Sequence, residues 1–371
     1  MQTDAAVLWE TGVEWKVERI DLDDPKEGEV LVRLAASGMC HSDEHVVTGD
    51  SPLPLPLVGG HEGAGVVEAV GPGVSSLAPA DHVVTSFLPA CGRCPSCSSG
   101  HQNLCDLGAL IPDGLQITDG TSRHHVDGQD LRIMCMVGTF AHRTVGNEAS
   151  FIKIDPDIPL ELACLLGCGF MTGWGSAVYR AEVHPGDDVA VIGVGGLGSA
   201  AVQGASLAGA KRIFAIDPEP FKRESAVRFG ATHVAASIAE AFPLIQQETW
   251  GRMCHKVIAT MGVGRGDLVA GIMSLVAKRG RAVMTNVHNA FEVDVKLSMV
   301  DLMFMEKEIV GCLYGSANPR ADIPRLVDLY RQGQIDLSGM VTRTYPLDGI
   351  NEGYQDMRAG RNVRGVLVYP K

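Results

Sequence analysis

Four cysteines in the first third of the chain have a spacing suited to binding a metal ion. They are Cys91, Cys94, Cys97 and Cys105. Two residues separate each of the first three from the next, and seven residues separate the third from the fourth. The segment carries Gly92, Pro95 and Gly100 and has neither a helical nor a strand period, which predicts a loop. Zinc prefers four thiolates in a closed structural site. Iron–sulfur clusters also use two-residue gaps, but the remaining gaps here do not match their usual runs. The spacing therefore favours structural zinc over an iron–sulfur cluster.

A second set of possible metal ligands is spread along the chain. Cys40 follows a predicted strand, His61 lies in a glycine-rich turn, and Cys168 stands between two glycines. Two thiolates and one imidazole form a zinc site whose fourth position stays open for water or substrate. A lone cysteine is usually a core residue. That interpretation is given to four others, which are Cys135, Cys164, Cys254 and Cys312.

A dinucleotide-binding fingerprint follows the buried strand predicted at 188–192. It reads strand, glycine turn and Ala-rich helix over 199–209, and its turn residues include Gly193, Gly195, Gly196, Leu197 and Gly198. The glycines allow backbone to approach a pyrophosphate at the helix N-terminus. The next strand ends at Asp217, where a carboxylate accepts hydrogen bonds from the adenosine ribose and repels a 2′-phosphate. The motif therefore predicts NAD rather than NADP, a preference that nearby Lys222 softens.

Composition and patterning limit the architecture around these sites. The chain has 371 residues, is 46% hydrophobic and carries a net charge of −13, which predicts two domains and argues against binding nucleic acid. Short alternating runs at 4–36 and 58–86 predict a β-rich start, and from about residue 160 apolar helices alternate with β-branched strands, as in a parallel sheet. A helix is expected at 321–332 and a closing strand at 363–369. No secretory signal or membrane span is apparent, so we expect a cytoplasmic protein with reduced cysteines.

Taken together, these motifs and their spacing resemble the zinc-containing medium-chain alcohol dehydrogenases over essentially the whole chain. The resemblance implies a chaperonin-10-like β-rich catalytic domain, formed by residues 1–165 with 315–371 and carrying both zinc sites. It also implies an α/β Rossmann NAD-binding domain at 166–314. The catalytic zinc ligands would be Cys40, His61 and Cys168. We therefore expect two zinc ions per chain, NAD(H), an alcohol or aldehyde substrate and a homo-oligomer, dimeric or larger.

The same resemblance gives roles to further residues. In enzymes of this kind a bound zinc would polarise the alcohol, and the nicotinamide would accept the hydride. By the resemblance, Ser42 would accept the substrate proton, and a relay through the cofactor ribose would deliver it to His45. Glu62 is a carboxylate that approaches the metal during ligand exchange, and Asp43 orients His61. By the same resemblance, His41 and Arg364 would contact the cofactor pyrophosphate, and Phe87 would form a wall of the substrate pocket.

Within the family, the phrases at 40–45, 172–179 and 318–324 resemble the nicotinoprotein, mycofactocin-associated alcohol dehydrogenases. That group implies NAD(H) held tightly and recycled in place by another electron carrier, such as mycofactocin or an artificial nitroso acceptor. Two enzymatic alternatives are a conventional alcohol dehydrogenase with dissociable NAD and a formaldehyde dehydrogenase that acts on a thiol adduct. A non-catalytic NAD-binding redox sensor would be expected to lose the catalytic metal ligands, yet all three are present.

Overall fold

The structure is a computed structural model that describes residues 1–370. It divides the chain into two compact units, the first formed by Met1–Cys168 with Asn318–Lys371 and the second by Gly169–Ala317. Each boundary falls three residues later than the domain boundary predicted from the sequence.

Strands supply most of the first unit and the centre of the second. In chain order they are β1 (Gln2–Leu8), β2 (Lys16–Leu22), β3 (Glu29–Gly38), β4 (Leu57–Val58), β5 (Glu62–Val70), β6 (His82–Thr85), β7 (His124–Val126), β8 (Gln129–Asp130), β9 (Arg132–Ile133), β10 (Arg143–Asn147), β11 (Phe151–Ile154), β12 (Asp188–Ile192), β13 (Arg212–Ile216), β14 (His233–Ala235), β15 (Cys254–Ala259), β16 (Val263–Gly264), β17 (Val276–Met284), β18 (Val287–His288), β19 (Glu308–Gly311), β20 (Val341–Tyr345) and β21 (Arg364–Val368).

The α-helices are mostly short. They are α1 (His41–Thr48), α2 (Pro95–Ser98), α3 (Leu160–Ala163), α4 (Gly169–Gly175), α5 (Gly196–Leu207), α6 (Pro220–Arg228), α7 (Ile238–Glu248), α8 (Val269–Ser274), α9 (Met299–Phe304), α10 (Pro319–Arg331) and α11 (Ile350–Arg358). Helix α10 and strand β21 occupy the places predicted for a late helix and a closing strand. The prediction of a plain loop around the four clustered cysteines was wrong in one respect. Residues Pro95–Ser98 form a helical turn, because Cys94 caps it and Pro95 occupies a first-turn position.

The first unit contains two β-sheets. One has the order β8-β7-β2-β1-β4-β9, and the other has the order β11-β6-β5-β3-β21-β20, with β10 also paired to β3. Strand β21 runs antiparallel to the end of β3, with Val366 opposite Gly38, and β5 pairs with the other edge of that strand. Three strands that are separated in sequence therefore meet where β3 ends, at Gly38, two residues before Cys40.

The second unit is built on a six-stranded sheet with the order β14-β13-β12-β15-β17-β19. Every pairing in this sheet is parallel. The side chains of β12 are buried along its whole length, as expected for a central strand covered on both faces. Strands β12 and β13 end at the glycine turn and at Asp217, so parallel pairing brings both to one edge of the sheet.

Burial decides the interpretation of the remaining cysteines. Cys135, Cys164 and Cys254 are buried, whereas Cys312 is only partly buried, so the prediction of a core position was wrong for Cys312. Among residues 1–370, no single helix is long and apolar enough to cross a membrane. One bent pair, Leu160–Gly167 with Gly169–Arg180, passes such a test by length and composition only.

Candidate active site and metal centres

The four clustered cysteines converge on one point. Their sulfur atoms all lie within 4.8 Å of one another, with 3.9 Å between Cys91 and Cys97 and 3.9 Å between Cys94 and Cys105. Sulfurs bound tetrahedrally to a zinc ion at about 2.3 Å lie about 3.8 Å apart. Helix α2 sets this geometry, because the Cys94 sulfur accepts the Cys97 N–H at 3.4 Å and so folds the two-residue gap into a turn.

The thiols of this cluster differ in pKa. Burial raises the pKa of Cys97 to about 12. Burial also opposes ionisation of Cys91, but backbone N–H groups of Arg93 and Cys94 overcome it and lower the Cys91 pKa to about 7. Four convergent sulfurs with mixed protonation suit a cation that displaces protons on binding, and they suit a closed, four-coordinate zinc.

The second set of ligands is assembled from three separate elements of the first unit. Cys40 caps the N-terminus of α1, His61 immediately precedes β5, and Cys168 follows the helical turn after α3. All three are buried, and one ligand atom from each lies within 4.8 Å of the others and of a Glu62 carboxylate oxygen. The structure thus brings together residues up to 128 positions apart, offering two sulfurs, an imidazole and an adjacent carboxylate.

Hydrogen bonds and neighbouring charges orient the His61 ring and shift the pKa values of all three ligand side chains. The His61 Nδ1 lies 3.3 Å from the Asp43 Oδ1, which also accepts the Gly60 N–H at 2.9 Å. Burial opposes a charge on His61, but Asp43 and Cys40 outweigh it and raise its pKa well above the ordinary value. A hydrogen bond from Cys168 holds the pKa of Cys40 well below its ordinary value, and the same bond raises that of Cys168. Cys40 is therefore the more readily ionised of the two thiols, and zinc binding would release the proton of Cys168.

Glu62 is held by a buried arginine. Arg364, at the start of β21, forms an ion pair with the Glu62 carboxylate, and both side chains are buried. Burial raises the pKa of Glu62 to about 8 despite that cation. Sequence reasoning assigned Arg364 to cofactor pyrophosphate and missed this pair. It also missed Gly38, where an added Cβ would lie 2.3 Å from the Glu62 carboxylate and 2.9 Å from the Arg364 guanidinium. The only sequence signal for this requirement is a glycine two positions before a candidate ligand.

Helix α1 carries the residues expected to move protons. The Ser42 hydroxyl lies 3.5 Å from the Cys40 sulfur. His45, one turn later, is buried, while His41 is exposed, and the two rings lie 6.5 Å apart. The predicted pocket wall, Phe87, packs edge-on against the His61 ring at 5.9 Å. Ser42 and Phe87 therefore both lie beside the ligand set.

Thr85 is a further residue that sequence reasoning did not identify. Its hydroxyl donates to the His61 carbonyl at 2.9 Å and accepts the Gly63 N–H at 2.7 Å. Strand β6 thereby fixes the backbone on either side of Glu62. A threonine in a β-branched strand carries no sequence signal of such a role.

The glycine fingerprint in the second unit forms a tight turn between β12 and α5. Gly193 has a φ of +85°, which favours glycine. A Cβ on Gly198 would lie 1.9 Å from the Gly193 carbonyl oxygen, whereas the space at Gly195 is open to 4 Å. Gly196 and Leu197 then begin α5. An open backbone at the start of a helix fits the pyrophosphate of a dinucleotide.

Asp217 is buried at the end of β13 and anchors this turn. One of its carboxylate oxygens accepts the Val194 N–H at 2.9 Å, and the other accepts the Glu219 N–H at 2.9 Å. Arg223 donates to the Asp217 and Pro218 carbonyls, so its charge is directed at backbone oxygens. Lys222 lies beside it on α6, partly exposed. The negative side chain thus lies next to the glycine turn, as NAD recognition requires.

Comparison with known proteins identifies the family. The model of the alcohol dehydrogenase GroES-like domain matches residues 26–156, and that of the zinc-binding dehydrogenases matches residues 196–332. Alcohol dehydrogenase B of Mycobacterium tuberculosis is 48% identical over 370 residues, covering 100% of this chain and 99% of that protein. The chain belongs to the zinc-containing medium-chain alcohol dehydrogenases.

Other relatives agree over the full length. The NDMA-dependent alcohol dehydrogenase of Amycolatopsis methanolica is 47% identical over 369 residues, covering 100% of this chain and 99% of that protein. The crystal structure of benzyl alcohol dehydrogenase from Acinetobacter calcoaceticus superimposes with a TM-score of 0.92 at 29% identity, covering 100% of both chains. This alcohol dehydrogenase therefore has the predicted fold, a chaperonin-10-like catalytic domain with a Rossmann domain, and is a zinc- and NAD(H)-using oxidoreductase.

Proposed function

We propose that this alcohol dehydrogenase keeps its NAD(H) bound through turnover and passes the electrons to an external acceptor. The proposal is supported by 47% identity over the whole chain to a relative named for its dependence on NDMA. The physiological acceptor would be a small redox carrier such as mycofactocin, with an alcohol or aldehyde as substrate. The buried Cys40–His61–Cys168 set is the observation that carries the alcohol chemistry.

We assign Cys40, His61 and Cys168 as ligands of the catalytic zinc. When bound, zinc supplies a Lewis acid for the alcohol oxygen, and NAD supplies the hydride acceptor. Asp43 fixes the His61 ring through Nδ1, which leaves Nε2 for the metal. Glu62, balanced by Arg364, is a nearby carboxylate able to approach the metal during ligand exchange.

The same proposal gives the protons a route from the substrate to solvent. The Ser42 hydroxyl, beside the Cys40 sulfur, takes the proton of the substrate hydroxyl. A relay through the cofactor ribose would deliver it to His45, one helical turn further on, and His45 would release it toward solvent. His41 and Arg364 remain proposed contacts of the cofactor pyrophosphate, and Phe87 a wall of the substrate pocket.

A second zinc ion is proposed at the Cys91, Cys94, Cys97 and Cys105 cluster, where it holds structure. Four sulfurs leave no open position for a substrate. The chain would then carry two zinc ions. The cytoplasmic location proposed from the sequence is kept as part of this proposal.

We also propose a homo-oligomer, dimeric or larger, formed through the second unit. Strand β19 is an edge strand of the parallel sheet. Large apolar side chains that precede it are exposed, including Phe291 at 76%, Val293 at 86% and Phe304 at 71%. Exposed apolar surface of this kind marks interaction sites. Light scattering after gel filtration tests it: Val293→Asp with Phe304→Asp should reduce the mass to that of a monomer, and an unchanged mass would place the contact elsewhere.

The test of the cofactor proposal uses enzyme as purified, without added NAD. It should oxidise an alcohol when NDMA is supplied, and denaturation should release about one NAD(H) per chain. With excess NAD and no other acceptor, free NADH should accumulate only slowly. Rapid NADH release would instead show a conventional dehydrogenase with dissociable NAD. Activity confined to formaldehyde plus an added thiol would show a thiol-adduct enzyme.

A further inference from the structure

The buried His45 lies against a carboxylate that follows it in the chain. Its side chain is only 3% exposed, and its Nδ1 is 3.5 Å from the Asp50 Oδ2. The Thr48 hydroxyl donates to that same oxygen at 2.7 Å and so fixes the carboxylate. Asp50 is 28% exposed, so it is the member of the pair that reaches solvent.

The end of α1 creates this contact. Gly49 terminates the helix in the left-handed region with a φ of +82°, where glycine is favoured. The Ser51 N–H then donates back to the His45 carbonyl at 3.0 Å, closing the turn. This reversal of the chain places Asp50 against the His45 side chain of α1. A Cβ on Gly49 would approach the Thr11 methyl group at 3.1 Å, so the turn has little room for another residue.

Two other ionisable groups on helix α1 lie near His45. Glu44 precedes it on α1, but the Glu44 carboxylate is paired with the Arg358 Nε of helix α11 at 2.9 Å. The other imidazole on this helix, His41, keeps its ring 6.5 Å away. Of these groups, Asp50 is the one whose carboxylate faces the His45 ring nitrogen.

We propose that Asp50 is a positioning residue for His45. Its carboxylate accepts the Nδ1–H and thereby makes Nε2 the nitrogen that takes up the reaction's proton. The hydrogen bond made by one ring nitrogen decides which nitrogen is basic. As Nε2 is protonated, the carboxylate faces the positive ring, and the proton is later given up to water. This role rests on the proposed function of His45 in proton release.

The test combines a spectroscopic and a kinetic measurement on the whole enzyme. Nitrogen-15 NMR of histidine-labelled protein reports the tautomer of His45, assigned by loss of its signals in His45→Gln. Single-turnover oxidation of an alcohol by the bound cofactor reports the rate. Asp50→Leu removes the acceptor, Asp50→Asn keeps an acceptor oxygen without the charge, and Asp24→Asn changes an exposed aspartate elsewhere.

The expected result is specific to a positioning role. Asp50→Leu should move His45 from the Nδ1–H to the Nε2–H form and slow the single turnover about tenfold. Asp50→Asn should preserve the Nδ1–H form and most of the rate, and Asp24→Asn should change neither. If His45→Gln slows the reaction but Asp50→Leu alters neither tautomer nor rate, the positioning role is wrong. If His45→Gln itself leaves the single turnover unchanged, the relay is wrong and this role falls with it.

Discussion

Removing the Asp217 carboxylate should separate cofactor recognition from the stability of the glycine turn. The carboxylate accepts two backbone N–H groups at 2.9 Å each, from Val194 and Glu219. A lost charge-assisted hydrogen bond to the ribose costs about 1.5–3 kcal/mol, so Asp217→Gly should weaken NAD roughly 10- to 150-fold. It should also improve NADP relative to NAD, because a 2′-phosphate no longer meets a negative charge.

The structure indicates that Asp217→Gly also lowers folding stability, in addition to the loss of the ribose contact. Asp217→Gly leaves the two N–H donors unpaired, and an unsatisfied buried donor costs about 1–3 kcal/mol of folding free energy. Asp217→Asn keeps one acceptor oxygen, so it should lose less thermal stability than Asp217→Gly while still losing the charge. Glu219→Gln is the matched control, since it removes an exposed charge two residues away.

The assay titrates NAD and NADP into protein stripped of cofactor, by fluorescence, and records thermal unfolding of the same samples. Both Asp217 variants should change the NAD to NADP preference, and Glu219→Gln should not. An unchanged preference together with a lower melting temperature would mean that Asp217 only holds the turn. That outcome would refute its assignment to the ribose.

The remaining predictions concern the two metal centres, the relay and acid stability. Cys94→Ala should lose one zinc by elemental analysis and lower the melting temperature, because structural zinc binding is coupled to folding; iron, or one zinc in the wild type, would contradict the two-site assignment. Cys168→Ser should abolish turnover while circular dichroism stays that of a folded protein; retained turnover would remove it from the ligand set. His45→Gln should slow alcohol oxidation about 10²-fold, most at low pH, with unchanged zinc content; identical pH dependence of the single turnover would contradict the relay. Burial lowers the pKa of His124 to about 3. Below about pH 6.5 the unfolded chain therefore binds a proton that the folded chain excludes. As the pH is lowered further, the free energy of unfolding falls by about 1.4 kcal/mol per pH unit. His124→Gln should remove about 2 kcal/mol of the difference between urea unfolding at pH 7 and pH 5, and an equal pH dependence would contradict this.

Features that depend on local sequence were predicted better than features that depend on contacts between distant residues. The fold class follows from strand and helix periodicity together with the glycine fingerprint, and the comparisons confirm it. The four clustered sulfurs lie within 14 residues of one another, so their spacing limits how they can converge. Even there, the helical turn capped by Cys94 was missed, because four residues are too few to show a period.

The surroundings of the catalytic ligands could not be predicted in this way. The Glu62–Arg364 pair joins residues 302 positions apart, and it depends on β21 pairing with the end of β3. Nothing in either local sequence specifies that pairing. The requirement for Gly38 follows from the same packing. The contact between His45 and Asp50 is local, but it becomes visible only once Gly49 is known to reverse the chain.

The central claim is that the cofactor stays in place while the enzyme turns over. A Kd near 1 nM with an association rate of about 10⁶ M⁻¹s⁻¹ implies dissociation at roughly 10⁻³ s⁻¹, against turnover of about 10 s⁻¹. The enzyme would complete about 10⁴ cycles before one cofactor leaves. It should be run on alcohol and NDMA in excess isotope-labelled NAD, and the cofactor still bound after about 10³ turnovers identified by mass spectrometry. The account predicts that nearly all of it is unlabelled, whereas full replacement by label would contradict it.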